Sequence, residues 1–232
     1  MLLRHGQSQW SDQHRFTGWA DPTLAATGRA EATAAARALH GAALRPGLVL
    51  TSVLRRASQT IELLREGGLA CPDVVTDWRL NERHYGQLEG MTHADAETRY
   101  GAAPVAGWRR GWADQPPPLD ESDLRSPRLQ PLYDSIPTQD LPMSESLQGC
   151  LLRSWPAVAE HAVPVLNGGG TVLLVGHGNQ LRALLSVLEG LGPREVRGLV
   201  LATGAPRAYR LDAVSGWRRE SAPPLTGTPS GP

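Results

Sequence analysis

Two short apolar runs end in the same word. LLRHG stands at residues 2–6 and TVLLVGHGN at residues 171–179, so a His-Gly pair directly follows an apolar strand pattern near each end of the chain. In a parallel α/β sheet, residues just past the carboxyl ends of the strands line the ligand crevice. That placement can bring His5 and His177 together although the chain separates them widely. Gly6 and Gly178 would let the backbone come close to a ligand, and the helices that follow would aim their first amides at an anion.

The segments between these words alternate in a matching way. Met1–Leu3 reads as a strand stub. Thr27 to about Leu44 is alanine-rich and reads as a helix, with Thr27 as N-cap. Leu48–Leu50 has the length and composition of a buried strand. Ser52 to about Arg65 reads as a second helix capped by Ser52, and Val74–Val75 as a further strand. Ser144 to Leu166 is helical in pattern, opened by Ser144 and Glu145, with Pro156 and Pro164 expected to kink or break it. Thr171–Val175 is a strand, and Gln180–Glu189 a helix. This alternation predicts an α/β fold, a mostly parallel sheet flanked by helices on both faces. Residues 84–142 break the rhythm with Pro116–Pro118, many charges and few strand signals. They read as an insertion over the carboxyl end of the sheet. The expected organisation is a single catalytic domain over 1–212 and a tail over 213–232, disordered from about 221, where SAPPLTGTPSGP begins.

Composition narrows the function. The 232 residues carry 23 basic and 23 acidic side chains, a balance that argues against a general nucleic-acid binder. Every basic residue is arginine, so an anion site here must use the bidentate guanidinium fork or histidine. Cys71 and Cys150 are far apart and lack metal-ligand spacing, which suits a reduced compartment. No apolar run approaches the roughly 18 residues of a membrane span, and LLRHG interrupts any signal-peptide pattern. A cytoplasmic protein without membrane association is the expectation.

Three further segments carry chemistry. TSVLRRASQT places Arg55 and Arg56 in the first turns of a helix, where a cation opposes the helix dipole and an anion partner would offset it. RLNERHYGQLEG carries Glu82, Arg83 and Tyr85. GWRRGW sets Arg109 and Arg110 between Trp108 and Trp112. Singly, each is more often structural or solvated than functional. Together, two histidines, an acid and several arginines suit phosphoryl transfer through a histidine. Neutral imidazole is a nucleophile near pH 7, arginines hold phosphoryl oxygens, and a carboxyl group can protonate the leaving oxygen.

RHGQSQW with RFTGW, TSVLRRA, LNERHYG, WRR and GHGNQLRAL resemble the cofactor-dependent phosphoglycerate mutases of the histidine phosphatase superfamily. The resemblance runs from Leu3 to about Asp212. It implies that His5 carries the phosphoryl group, that Arg4, Arg56 and His177 surround it, and that Glu82 donates and accepts the proton. It implies substrate contacts from Ser8, Ser11, Thr17, Gly18, Arg83, Tyr85, His93, Arg109, Arg110, Gly178 and Asn179. The implied reaction, in glycolysis and gluconeogenesis, interconverts 3-phosphoglycerate and 2-phosphoglycerate, primed by 2,3-bisphosphoglycerate, without a metal and in a homodimer or homotetramer. The chain departs from the pattern at Ser11 (usually asparagine), His93 (usually lysine), Gln180 (usually serine) and in its tail. A less shielded phosphohistidine loses its phosphoryl group to water more readily. The alternative is therefore a phosphatase of the same superfamily, acting on bisphosphoglycerate or another phosphomonoester. An inactive module that binds a phosphorylated ligand is the third reading, disfavoured because His5, Glu82 and His177 are all retained.

Overall fold

The computed structural model describes residues 1–212 and 216–220. Among the described residues, six strands form one sheet: β1 (Leu2–Arg4), β2 (Leu48–Thr51), β3 (Val74–Thr76), β4 (Val172–Gly176), β5 (Pro206–Asp212) and β6 (Gly216–Glu220). Their order is β3-β2-β4-β1-β5-β6. The first four are mutually parallel, whereas β5 runs antiparallel to β1 and β6 antiparallel to β5. Among the described residues, eight α-helices accompany them: α1 (Gln9–Asp12), α2 (Ala26–Gly41), α3 (Arg55–Glu66), α4 (His93–Tyr100), α5 (Ala102–Arg110), α6 (Leu147–Asn167), α7 (Gly178–Leu188) and α8 (Pro193–Gly198). None is long and apolar enough to cross a membrane.

The strand period of two sorts the core onto both faces. Leu48, Leu50, Val172 and Leu174 pack against Ala157 and Val158 of α6 and Leu181, Leu184 and Leu185 of α7. The alternate residues Leu3, Val49, Leu173 and Val175 pack against Ala35, Ala36 and Leu39 of α2 and Ala57, Ile61 and Leu64 of α3. A sheet covered twice needs near-continuous apolar strands, and β2 and β4 are buried at every position. The doubly covered, mostly parallel α/β sheet predicted by the alternation is the observed fold.

Several local expectations are corrected. Helix α2 begins at Ala26, with Ala25 rather than Thr27 at the cap position and no side-chain cap bond. Helix α3 begins at Arg55 with Leu54 as cap, so Ser52 lies outside it. Helix α6 is capped by Ser146, whose side chain accepts from the Gly149 amide. It runs through Pro156 and Pro164 without a break. Both prolines, and Leu152 and Glu160 four residues before them, lie on the exposed face, where a lost backbone bond costs least. The domain boundary expected at 212 falls within the β5–β6 hairpin, because Gly216–Glu220 pairs with β5 along its length. The tail from 221 lies outside the described residues. Residues 84–142 hold α4, α5 and short 3-10 turns and contribute no strand.

Gly6 serves packing. A Cβ there would stand 2.1 Å from the Gly28 carbonyl oxygen, and one on Gly28 only 2.0 Å from that of Gln7. The loop after β1 and helix α2 thus meet backbone to backbone. Gly28→Ala should cost about 3 kcal/mol of stability through overpacking. Gly41→Ala at the end of α2, with nothing within 4 Å of its added methyl, should instead stabilise by about 0.5 kcal/mol. Urea unfolding of the two variants checks the opposite signs.

Candidate active site

Strand register builds the centre. Arg4 lies opposite Gly176 on the neighbouring strand, and Thr51 lies opposite Val175. The residues that follow β1, β2 and β4 therefore emerge side by side: His5, Ser52 and His177. The His5 amide donates to the Gly176 carbonyl (3.0 Å), and the Thr51 hydroxyl to that of Val175 (2.9 Å). The two imidazoles meet edge to face with centroids 4.9 Å apart, His5 4% and His177 0% exposed.

The atoms of His5 have defined roles. Its Nδ1 lies 2.6 Å from the Gly6 carbonyl oxygen, and a carbonyl can only accept. Nδ1 therefore carries the proton, and Nε2 keeps its lone pair. Arg56 Nε donates toward that lone pair (3.3 Å), while its other nitrogens donate to the Ala20 and Gly18 carbonyls, each at 2.8 Å. Burial, then Arg56 and Arg4, hold the His5 pKa well below the ordinary histidine value. Burial, Arg56 and His5 do the same for His177. Both rings are neutral across the physiological range.

Glu82 faces them from the segment after a 3-10 turn. Its carboxyl group accepts from three backbone amides: Arg83 (2.8 Å), Asn179 (3.1 Å) and Gln180 (3.1 Å). Two of these are the first-turn amides of α7, so the amides expected to meet a ligand anion hold Glu82 instead. Trp19 Nε1 fixes the Glu82 carbonyl. Arg55 is likewise satisfied internally: it pairs with Asp21 (2.9 Å) at the surface, outside the centre. The anion that offsets its helix position belongs to the chain.

A cavity of about 250 Å³ opens over Arg4 and Glu82. Of the residues singled out from sequence, Arg4, Ser11, Thr17, Gly18, Glu82, Tyr85, His93, Arg109, Arg110, Gly178 and Asn179 line it. His5, Arg56 and His177 sit buried behind that lining. Two residues take other places. Ser8 caps α1, its hydroxyl accepting from the Ser11 amide. Arg83 is fully buried, its guanidinium 4.5 Å over the Tyr85 ring and donating to the Arg109 carbonyl. Gly178 lets Arg4 approach, since a Cβ there would stand 3.3 Å from Arg4 Nε.

The sequence reading missed Arg182, His14, Arg15 and Phe16, and the apolar wall Leu199–Leu201, all of which line the cavity. Arg182 lies one helical turn after Asn179, a spacing that GHGNQLR already contains. It donates to Asn179 Oδ1 (2.9 Å) and to the Arg109, Arg110 and Val196 carbonyls, and so docks the end of α5 on α7. His93 packs edge-on against Phe16. Burial, Arg109, His14 and Arg110 lower its pKa to about 4, so it is uncharged at neutral pH. Behind the Gly18–Ala20 loop, Glu89 accepts from the Ala20 amide, and burial raises its pKa to about 8. His84, 3.7 Å from Glu89, is lowered to about 3 by burial and by Arg153 and Arg125.

The site is thus a neutral imidazole whose Nε2 lone pair faces the Arg56 guanidinium, a second imidazole beside it, a carboxyl group, and a cavity walled by arginines. That set can take a phosphoryl group, hold its oxygens and exchange a proton with the departing one.

Comparison with known proteins agrees. Residues 1–139 match the family model for the histidine phosphatase superfamily, branch 1. A 2,3-bisphosphoglycerate-dependent phosphoglycerate mutase of Nitrosococcus oceani is 43% identical over 215 residues, 92% of this chain and 90% of that one. Among solved structures, one described as mycobacterial hydrolase 1 superposes with a TM-score of 0.73 at 28% identity, covering 96% of both chains. The native structure of a mycobacterial glucosyl-3-phosphoglycerate phosphatase superposes with a TM-score of 0.70, at the same identity and coverage. The chain is a member of the histidine phosphatase superfamily, branch 1.

Proposed function

We propose that this enzyme is a phosphoglycerate mutase that interconverts 3-phosphoglycerate and 2-phosphoglycerate through a phosphohistidine on His5. The observation that carries the reading is the committed His5 tautomer: Nδ1–H is spent on Gly6, so Nε2 is the nucleophile, and Arg56 stands beside it. The 43% identical mutase supports the choice of substrate. His5 Nε2 forms a bond to phosphorus as the ester P–O bond breaks. The departing oxygen takes a proton from the Glu82 carboxyl group. In the return step Glu82 takes the proton of the acceptor hydroxyl, and the P–N bond breaks as a new P–O bond forms. Arg4, Arg56 and His177 spread the charge of the transferring group, while Arg109 and Arg110 hold the substrate carboxylate.

Priming is assigned to 2,3-bisphosphoglycerate, which supplies the first phosphoryl group. Arg4 Nε and Arg182 Nε are buried without hydrogen-bond partners beside the cavity, a donor set that fits a polyanion. In this reading no metal takes part, the enzyme works in the cytoplasm, and it assembles as a homodimer or homotetramer.

The second reading is a phosphatase of the same superfamily. Uncharged His93 favours it, because it removes a cation that the resemblance places on the substrate. The likeness to a glucosyl-3-phosphoglycerate phosphatase points the same way.

Phosphorus NMR of the protein with 3-phosphoglycerate, a trace of 2,3-bisphosphoglycerate and a chelator separates the two. A growing 2-phosphoglycerate signal is expected, and it should vanish in His5→Ala. Inorganic phosphate as the sole product would move the enzyme to the phosphatases.

The neutral histidines also set a pH dependence of stability. His5, His84, His93 and His177 have lowered pKa values when folded, so below about pH 6.5 the unfolded chain binds protons that the folded one does not. Each then removes about 1.4 kcal/mol per pH unit on acidification. Glu89, raised to about 8, works oppositely: its contribution is lost as pH rises from its unfolded value toward 8. Four imidazoles outweigh one carboxyl group, so the urea midpoint should fall between pH 7 and pH 5. A flat or rising midpoint would contradict the neutral assignment.

A further inference from the structure

Ser52 has no place in the transfer steps, yet its hydroxyl touches the machinery. It is 1% exposed, and its Oγ lies 2.7 Å from His177 Nε2. Its position follows from strand pairing: β2 runs beside β4 with Thr51 opposite Val175, so the next residue of each strand meets its neighbour. The Leu54 amide donates to the same Oγ (3.2 Å), which occupies one of its lone pairs. The hydroxyl hydrogen still needs an acceptor, since a buried O–H without one is costly. The acceptor within reach is His177 Nε2.

We propose that Ser52 is a positioning residue that donates to His177 Nε2 and thereby fixes the ring proton of His177 on Nδ1. A neutral imidazole with Nε2 acting as acceptor must carry its hydrogen on Nδ1. His177 Nδ1 is the ring nitrogen that is buried with no hydrogen-bond partner. An unmet N–H in the ring packed edge-on against His5 is a donor held ready for a phosphoryl oxygen. Without the serine hydroxyl the ring can place its proton on Nε2. Nδ1 would then present a lone pair to an anion. The two histidines would thus share one tautomer for opposite purposes. His5 keeps Nδ1–H on a carbonyl so that Nε2 can attack, and His177 keeps Nδ1–H free so that it can donate.

The consequence for catalysis rests on the phosphohistidine reading, but the tautomer does not, so the experiment has two independent readouts. The first is a long-range proton–nitrogen NMR correlation of the histidine rings at pH 7.5, with His177 assigned from the spectrum of His177→Gln. The Nδ1–H form is expected in the unsubstituted enzyme, a shift toward Nε2–H in Ser52→Ala, and restoration in Ser52→Thr. The second is turnover. Ser52→Ala should lower kcat about 10- to 100-fold, the usual effect of losing an orienting partner, with KM within about twofold, and Ser52→Thr should recover most of it. An Nε2–H ring in the unsubstituted enzyme would overturn the proposal, even if Ser52→Ala fails to fold. So would an unchanged ring spectrum in a folded Ser52→Ala. Absence of any product from phosphoglycerates would count against the mutase reading alone, since the ring spectrum still decides the role of Ser52.

Discussion

Arg56 is a cation with 1% of its surface exposed, and it donates to two carbonyls and an imidazole rather than to a carboxylate. A buried charge of this kind is tolerated only when it is hydrogen-bonded and when opposite charge lies near. Here Glu82 and Asp21 supply that charge from a distance. Much of the centre follows from this placement. Burial first, and then the guanidinium, which would repel a second cation, keep both neighbouring imidazoles neutral. It ties the Gly18–Ala20 loop to α3, and Glu89 secures that loop from behind. It also leaves an electrostatic deficit beside His5 that a phosphoryl dianion would fill.

The same logic extends outward through arginines that serve structure and site together. Arg182 binds Asn179 with one nitrogen and the last carbonyls of α5 with both, and Arg83 adds a bond to the Arg109 carbonyl. A helix C-terminus carries partial negative charge and unpaired carbonyls, so cations there are favourable. The backbone of Arg109 and Arg110 is therefore anchored while their side chains stay available to the cavity. Lysine, with one nitrogen, could not serve several carbonyls in one plane. The all-arginine composition thus has a structural use here, whatever its origin.

The sequence exposed the parts that depend on pattern and hid those that depend on pairing. Apolar runs ending in RHG and GHG marked strand ends, and strand ends in parallel order converge by geometry, so His5 and His177 could be paired on paper. From sequence Ser52 reads as a helix cap, as a serine before a helix usually does. Its true partner lies on β4, which only the register reveals. From sequence Gly6 reads as room for a ligand, but Gly28, on a helix that begins one residue before the Thr27 cap suggested by the sequence, is what needs the space. The β5–β6 hairpin went unseen because its strands are mostly half-exposed and arginine-rich, without the apolar signature of the central four. Arg83 shows the limit from the other side: it adjoins Glu82 in sequence, yet its guanidinium lies over Tyr85 and binds the Arg109 carbonyl rather than lining the cavity.

Mutase and phosphatase differ only in what reaches the phosphohistidine. Attack by a hydroxyl of the bound acid requires that acid to be held and water to be displaced. Arg109 and Arg110 offer the first, and Phe16 with Leu199–Leu201 gives the cavity an apolar share. Uncharged His93 works against both, since it offers a phosphorylated acid less attraction than a lysine would. Its ring is held by Phe16 and repelled by two arginines, so a bound anion would raise its pKa and strengthen its own binding as the pH falls. On the proposed phosphohistidine reading, acceptor choice is then a property of the rim rather than of His5, Arg56 and Glu82. One exchange at the rim can shift the balance without touching the centre that makes either reaction feasible.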